Sequence, residues 1–235
     1  MKRKRRKPPA TAIKFLPQEL LTEVLARVAS NSLTDLCNAK LCCKEFLRAA
    51  EDDYIFKHAS MEKFPVAPWP VSCEASSFLR RCKESGNAEA LYREGMVEYF
   101  SSSRVDSGLQ YLKEAAEKGH VEALYVSEII SACTGGQSNQ WSPELLQSKK
   151  KTSECRRRVQ AVLCSLWIRN YIVPPQGQRA DHSKTCTKNG NTWQYCGRQM
   201  MRGTGWEDEE EDHCEACMWD HEIHFFCDIV RRGIN

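Results

Sequence analysis

Between Leu20 and Val28 the apolar residues Leu20, Leu21, Val24, Leu25 and Val28 recur at three- and four-residue spacing, with Gln18, Glu19, Thr22, Glu23 and Arg27 between them. That alternation predicts an amphipathic helix with one apolar stripe. Pro17 suits its first position, because the N–H that proline lacks is one that no helix satisfies there. Ser30-Asn31-Ser32 interrupts the pattern. Ser32 is a good N-cap with Asp35 in the following turn, and Leu33, Leu36, Cys37 and Leu41 give a second stripe. Phe46, Leu47, Ala49 and Ala50 give a third, short one, before the aromatic residues Tyr54 and Phe56. Three helices in about 40 residues approach the size at which a lone core is marginal, so a partner is expected to cover part of this apolar surface.

Farther along, Pro65, Pro68 and Pro70 around Trp69 predict a linker over residues 61–77, since each proline stops a helix from continuing. Asn87-Ala88-Glu89-Ala90-Leu91-Tyr92 then returns as His120-Val121-Glu122-Ala123-Leu124-Tyr125, a shift of 33 residues with Glu-Ala-Leu-Tyr identical. That period is typical of paired-helix solenoid repeats, and Gly119 is placed to end a helix. The repeats are assigned to residues 78–134. Gly135 to Gln140 reads as a loop, and Cys155, Val159, Val162, Leu163, Leu166 and Trp167 predict a helix over 153–172 that caps the solenoid. Arg156-Arg157-Arg158 is expected on its solvated side. Pro174 and Pro175 close residues 135–179, and Phe225, Phe226, Ile229 and Val230 predict a last helix packed on the body. The expected fold class is therefore all-α: a three-helix module at 15–60, a short α-solenoid of paired helices, and a small irregular Cys-rich module at 180–235.

Composition narrows the function. The chain has 235 residues, 41% hydrophobic and 28% charged, ordinary for a globular protein. No apolar run reaches the roughly 18 residues that cross a bilayer, and the charged start, without an apolar stretch after it, is not expected to act as a secretory signal. Seven of the 34 basic side chains fall in residues 1–14, so 27 remain beyond them against all 31 acidic ones. The body is mildly acidic and is not a general nucleic-acid-binding surface. The basic excess is read as a disordered tail, in which Lys2, Arg3, Lys4, Arg5, Arg6 and Lys7 fit a nuclear-import signal. A location in the nucleus, the cytoplasm or both is expected.

Thirteen cysteines then read as reduced thiols or metal ligands rather than a disulfide framework. Cys186, Cys196, Cys214 and Cys217 lie with His182, His213, His221, His224 and Cys227 inside 46 residues. Cys214-x-x-Cys217 has the spacing of a zinc knuckle, a tight turn that brings two thiolates onto one tetrahedral ion. Cys186 and Cys196 complete a structural zinc site on one reading; His221, His224 and Cys227 complete it on another. The acidic run Glu207 to Asp212 is read as a solvated loop. No Ser–His–acid or Cys–His nucleophile context is visible, so no catalytic residue is assigned.

Leu16-Pro17-x-Glu19-Leu20, Ser32-Leu33-x-x-Leu36 and Cys43-Lys44-Glu45-Phe46, followed by Tyr54 and Phe56, resemble an F-box; Phe46 stands where the motif has tryptophan. The resemblance implies docking to a Skp-family adaptor, and through it to a cullin scaffold, by Leu16, Pro17, Leu20, Leu21, Val24, Leu25, Leu33 and Leu36. Leu112-x-x-Ala115-Ala116-x-x-Gly119-His120-x-x-Ala123 resembles the Sel-like branch of tetratricopeptide repeats. The Cys-x-x-Cys-x-Trp…Phe-Phe-Cys tail is similar to that of plant F-box proteins with a Cys-rich C-terminus. Together these imply a non-catalytic substrate receptor of a ubiquitin ligase, with a client protein on the repeats or the tail. The alternative is a nuclear zinc protein that contacts nucleic acid through its basic head and Cys-rich tail, a reading opposed by the acidic run beside Cys214.

Overall fold

The computed structural model describes residues 16–65, 72–135, 149–174, 186–188, 191–193 and 215–232. The chain divides into two compact units, Met1–Ala90 and Leu91–Asn235.

In the first unit, helix α1 spans Gln18–Asn31 and α2 spans Leu33–Cys42. They are followed by α3 (Lys44–Ala49), α4 (Asp53–His58) and α5 (Cys73–Glu84). Their starts are local chemistry. The Ser32 hydroxyl accepts the Asp35 N–H at 3.2 Å, the Asp52 carboxylate accepts the Tyr54 N–H at 2.9 Å, and the Ser72 hydroxyl accepts the Ala75 N–H at 3.2 Å. At α3 the cap is a thiol: Cys43 Sγ accepts the Phe46 N–H at 3.5 Å. Each cap satisfies one of the N–H groups that a helix start leaves without a partner. Tyr54 and Phe56 sit on a fourth helix absent from the three-helix expectation, and α5 begins inside the stretch read as linker.

The core of this unit gathers Leu21, Leu25, Ala29, Leu36, Ala49, Ala50, Ile55, Phe56 and Met61, with Phe46 packed at its edge. Alanines at 26, 29, 49 and 50 let α1 approach α3 and α4 closely. The single stripe expected on α1 therefore divides. Leu21 and Leu25 face inward together with Thr22, which the sequence placed on the polar side, while Leu20 and Val24 face out. On α2 only Leu36 is buried; Cys37 and Leu41 are exposed.

The 33-residue period has a structural counterpart at the helix ends. Gly86 (φ 77°) and Gly119 (φ 86°) both take the left-handed conformation. Gly86 N–H donates to Lys83 O and Asn87 N–H to Cys82 O; Gly119 N–H donates to Ala116 O and His120 N–H to Ala115 O, 33 positions later. This is the Schellman closure, which glycine adopts without a Cβ penalty. The next residue then starts the following helix: Asn87 Oδ1 accepts the Ala90 N–H at 3.1 Å, and His120 Nδ1 accepts the Ala123 N–H at 3.2 Å. Asn87 is buried, and its amide also donates to Phe56 O (3.0 Å) and Ala59 O (2.9 Å), so one side chain closes α4 and opens α6.

Helix α6 (Ala88–Met96) runs into a π-helical turn, Val97–Ser101. In the second unit this turn packs on α7 (Val105–Glu117), which pairs with α8 (Val121–Cys133). The approach is close enough that a Cβ on Gly108 would lie 2.5 Å from Tyr99 N, and one on Gly95 2.9 Å from Leu112 Cγ. Gly108→Ala gains about 1 kcal/mol of helix propensity. Overpacking against backbone exceeds that gain, and a net loss of roughly 2 kcal/mol is expected from the urea midpoint; an unchanged midpoint would refute the close approach.

Helix α9 (Lys149–Cys164) packs on α8, and α10 (Glu215–Arg232) packs on both. Phe226, Trp219, Ile223 and Val230 are buried. The last helix expected from Phe225, Phe226, Ile229 and Val230 is present, with 18 residues, and packs on α8 and α9 as anticipated. Strands β1 (Cys186–Lys188) and β2 (Asn191–Trp193) form an antiparallel pair in register Cys186↔Trp193. This small pair accompanies a fold that is otherwise helical.

Two expectations for residues 153–172 are overturned. The helix ends at Cys164, because Arg169 and Asn170 donate their N–H groups to Phe100 O, at 2.7 and 3.1 Å, instead of continuing the helical ladder. Leu166, Ile168 and Ile172 are buried, whereas Trp167, Tyr171 and Val173 are exposed. Arg156, expected in solvent, is buried: its Nε donates to Glu222 Oε2 at 3.1 Å and its Nη2 to Glu222 Oε1. Tyr125 OH donates to Glu222 Oε2 at 2.8 Å. Burial first, and the Glu222 charge second, push the Tyr125 phenol well above its usual range. Burial works against the Arg156 charge, but the hydrogen bonds and charge of Glu222 hold its guanidinium above the ordinary value.

Candidate protein-docking surface

The residues predicted to dock a partner separate by burial. Leu20 and Val24 lie four residues apart on the outer side of α1 and are 55% and 52% exposed; Leu16, 43% exposed, and Pro17 are exposed just before the helix. Leu21, Leu25 and Leu36 are committed to the core and Leu33 is half-buried. The usable surface is thus a narrow row along the first two turns of α1. Leu41, Leu47 and Tyr54 add exposed apolar residues in the same unit. Their exposure was not read from the sequence; the signal available was an excess of leucines over the alanines that α1 and α3 also supply to the core.

Polar contacts fix the helix that carries the row. Glu23 accepts from Tyr54 OH on α4 at 2.8 Å and from Arg27 Nε at 3.0 Å. These bonds, Tyr54 first, hold the Glu23 carboxyl below its ordinary value. Arg81 on α5 lies 4.0 Å above the Phe56 ring and pairs with Glu51 at 2.6 Å and Asp53 at 3.4 Å. Glu51 also pairs with Lys40 at 2.8 Å, and that bond is the leading cause of its lowered pKa. As pH falls, the unfolded chain takes up this proton before the folded one does. The stabilisation is complete above the ordinary glutamate pKa of about 4.3 and is lost as pH drops through the folded value. Melting temperatures of wild type and Glu51→Gln are expected to differ at pH 7 and to converge near pH 3; parallel curves would remove Glu51 from the acid response.

Among the described residues no group of three or more His, Cys, Asp and Glu side chains is arranged to hold a metal ion, and no helix is long and apolar enough to cross a membrane. Cys186 and Cys217 lie in β1 and α10, with side chains outside the description. Cys196 and Cys214, the Glu207–Asp212 run and the basic residues Lys2 to Lys7 lie outside the described residues. His221, His224 and Cys227, the alternative ligand set, do not converge. Cys227 is buried beside Cys133, His221 stacks on Phe225, and His224 is exposed.

A protein of Arabidopsis thaliana named as an F-box protein is 31% identical over 228 residues, 92% of this chain and 75% of the relative. The chain belongs to the F-box protein family. A second F-box protein of the same plant is 30% identical over 124 residues, 52% of this chain and 75% of its own length. A third is 27% identical over 133 residues, 55% of this chain but 35% of the relative. A family model described as plant tetratrico peptide repeats matches residues 61–164, which include α5 to α9 and the duplicated caps. No solved structure matches the chain. In the first unit the departure from the motif is absorbed locally: Phe46 packs against the core, and the Cys43 thiol before it caps α3.

Proposed function

We propose that this F-box protein is the substrate-receptor subunit of an SCF-type ubiquitin ligase. The F-box unit binds a Skp-family adaptor, and through it a cullin scaffold, while the second unit binds a client protein. The observation that carries this reading is the solvent-facing pair Leu20 and Val24 on α1, with Leu16 exposed just before it, in a chain of the F-box family. Large apolar side chains at four-residue spacing are the anchors by which a helix seats in a partner's groove. On this reading the chain itself transfers no ubiquitin. It fixes geometry, and other subunits perform the chemistry.

The client side is proposed more coarsely. Tetratricopeptide-type repeats present extended surfaces, and Trp167, Tyr171 and Val173 offer exposed apolar area in the second unit. Cys186, Cys196, Cys214 and Cys217 are proposed to hold one structural zinc ion, and Lys2 to Lys7 to direct nuclear import. Metal analysis of the purified chain is expected to give about one zinc per molecule; a metal-free folded chain would remove that assignment. The adaptor reading is tested by mixing the full chain with a purified Skp-family adaptor. A stable complex is expected on gel filtration, and separate elution at micromolar concentrations would end the proposal.

A further inference from the structure

Cys133 closes α8 and Cys227 lies 94 residues later on α10, yet their sulfurs are 3.8 Å apart. The two helices pack on each other. Among the nine free cysteines of the described residues this is the pair in thiol–thiol contact. The other thiols have different settings. Cys82 and Cys155 are buried, with thiols pushed up to about 12, chiefly by burial, and Cys43 is engaged as a helix cap. Cys37, Cys42, Cys73 and Cys164 are exposed.

We propose that Cys133 and Cys227 form a reversible disulfide, a redox modification site that ties α8 to α10 when the protein meets a peroxide. A disulfide needs its sulfurs at about 2.05 Å, so the pair must close by roughly 1.8 Å. Side-chain rotation supplies most of this, because Cys133 is the last residue of α8 and only half-buried. The same exposure admits a small oxidant, while Cys227 is buried and held as the resolving thiol. The hydrogen bond between the two favours the thiolate at Cys133 and the protonated thiol at Cys227, the division of labour the chemistry requires.

The reaction balances with hydrogen peroxide as oxidant. The Cys133 thiolate attacks one peroxide oxygen, the O–O bond breaks, and the departing hydroxide takes a proton to leave as water, giving a sulfenic acid. Cys227 sulfur attacks the sulfenic sulfur; the S–S bond forms, the S–O bond breaks, and the Cys227 proton leaves with the hydroxyl as a second water. Two thiols lose two electrons and the peroxide gains them. A dithiol reductant reverses the change by exchange.

The proposal is independent of adaptor binding, and its test does not use that complex. The reduced full chain is exposed to stoichiometric hydrogen peroxide, blocked with an alkylating agent, digested and analysed by mass spectrometry. A Cys133–Cys227 linked peptide is expected as the first and most abundant cross-link, reversed by dithiothreitol and absent from Cys133→Ser and Cys227→Ser. Closing so long a loop is expected to raise the melting temperature by on the order of 5 °C, and amide exchange across residues 215–232 is expected to slow about ten-fold or more. The wild-type digest is decisive even where a variant folds poorly. Sulfinic acid at Cys133 with Cys227 unlinked, or a principal cross-link from either residue to a different cysteine, would overturn the proposal.

Discussion

Glu222→Leu is expected to destabilise the second unit by about 3–5 kcal/mol, the cost of removing one member of a buried ion pair. Two groups lose their partner together. Arg156, buried under α10, keeps a charge with no counter-ion, and the Tyr125 hydroxyl loses its acceptor. Desolvation makes each of these expensive, so the loss exceeds what the pair contributes over an apolar replacement. Three variants separate the terms. Glu222→Gln keeps an acceptor for Tyr125 and is expected to lose less than Glu222→Leu. The double change Arg156→Met with Glu222→Leu removes the orphaned charge and is expected to recover most of the loss. Urea unfolding of the full chain provides the measurement, with amide exchange across Glu215–Arg232 as the local readout. A double variant no more stable than Glu222→Leu would show that Arg156 does not depend on Glu222 for its burial.

The same pair shows where sequence reading stops. Arg156-Arg157-Arg158 reads as a solvated face because nothing within a helical turn pairs with Arg156; its partner lies 66 residues away. Arg158 does pair locally, with Glu154 at 2.6 Å, as well as with Glu122 at 3.0 Å. The end of α9 was hidden for the same reason, since the carbonyl that captures Arg169 and Asn170 belongs to Phe100. What was legible is local or periodic. The Ser32 cap and the helix end at Gly119 depend on neighbours within six positions, the 33-residue repeat on identical residues one period apart, and all are present as read. Helix α4 was missed because its apolar residues Tyr54, Ile55 and Phe56 are consecutive and display no period. On α1 the stripe was legible but its division was not: alanines at 26 and 29 moved the core-facing arc around the helix, turning Leu20 and Val24 outward.

That division makes the adaptor proposal separable from folding. Leu20→Asp with Val24→Asp is expected to leave stability nearly unchanged, because both side chains are more than half exposed and surface replacements usually fall within about 0.5 kcal/mol each. Binding should respond very differently. Each large aliphatic anchor buried at an interface contributes about 1.5–3 kcal/mol, and a carboxylate placed in the same apolar groove adds a desolvation cost. Together these exceed about 4 kcal/mol, a loss of roughly a thousand-fold in affinity for a Skp-family adaptor. Leu25→Ala reverses the pattern. It removes a core residue only 2% exposed, so unfolding free energy is expected to fall by about 2–5 kcal/mol, while the fraction that remains folded keeps its outer row and its adaptor affinity. Titration calorimetry with the adaptor, paired with urea unfolding of each variant, measures both quantities on the same samples. If Leu20→Asp with Val24→Asp bound as wild type does, the row on α1 would not be the docking surface, whatever the chain's family. If it unfolded the first unit, the outward orientation of those two side chains would be wrong.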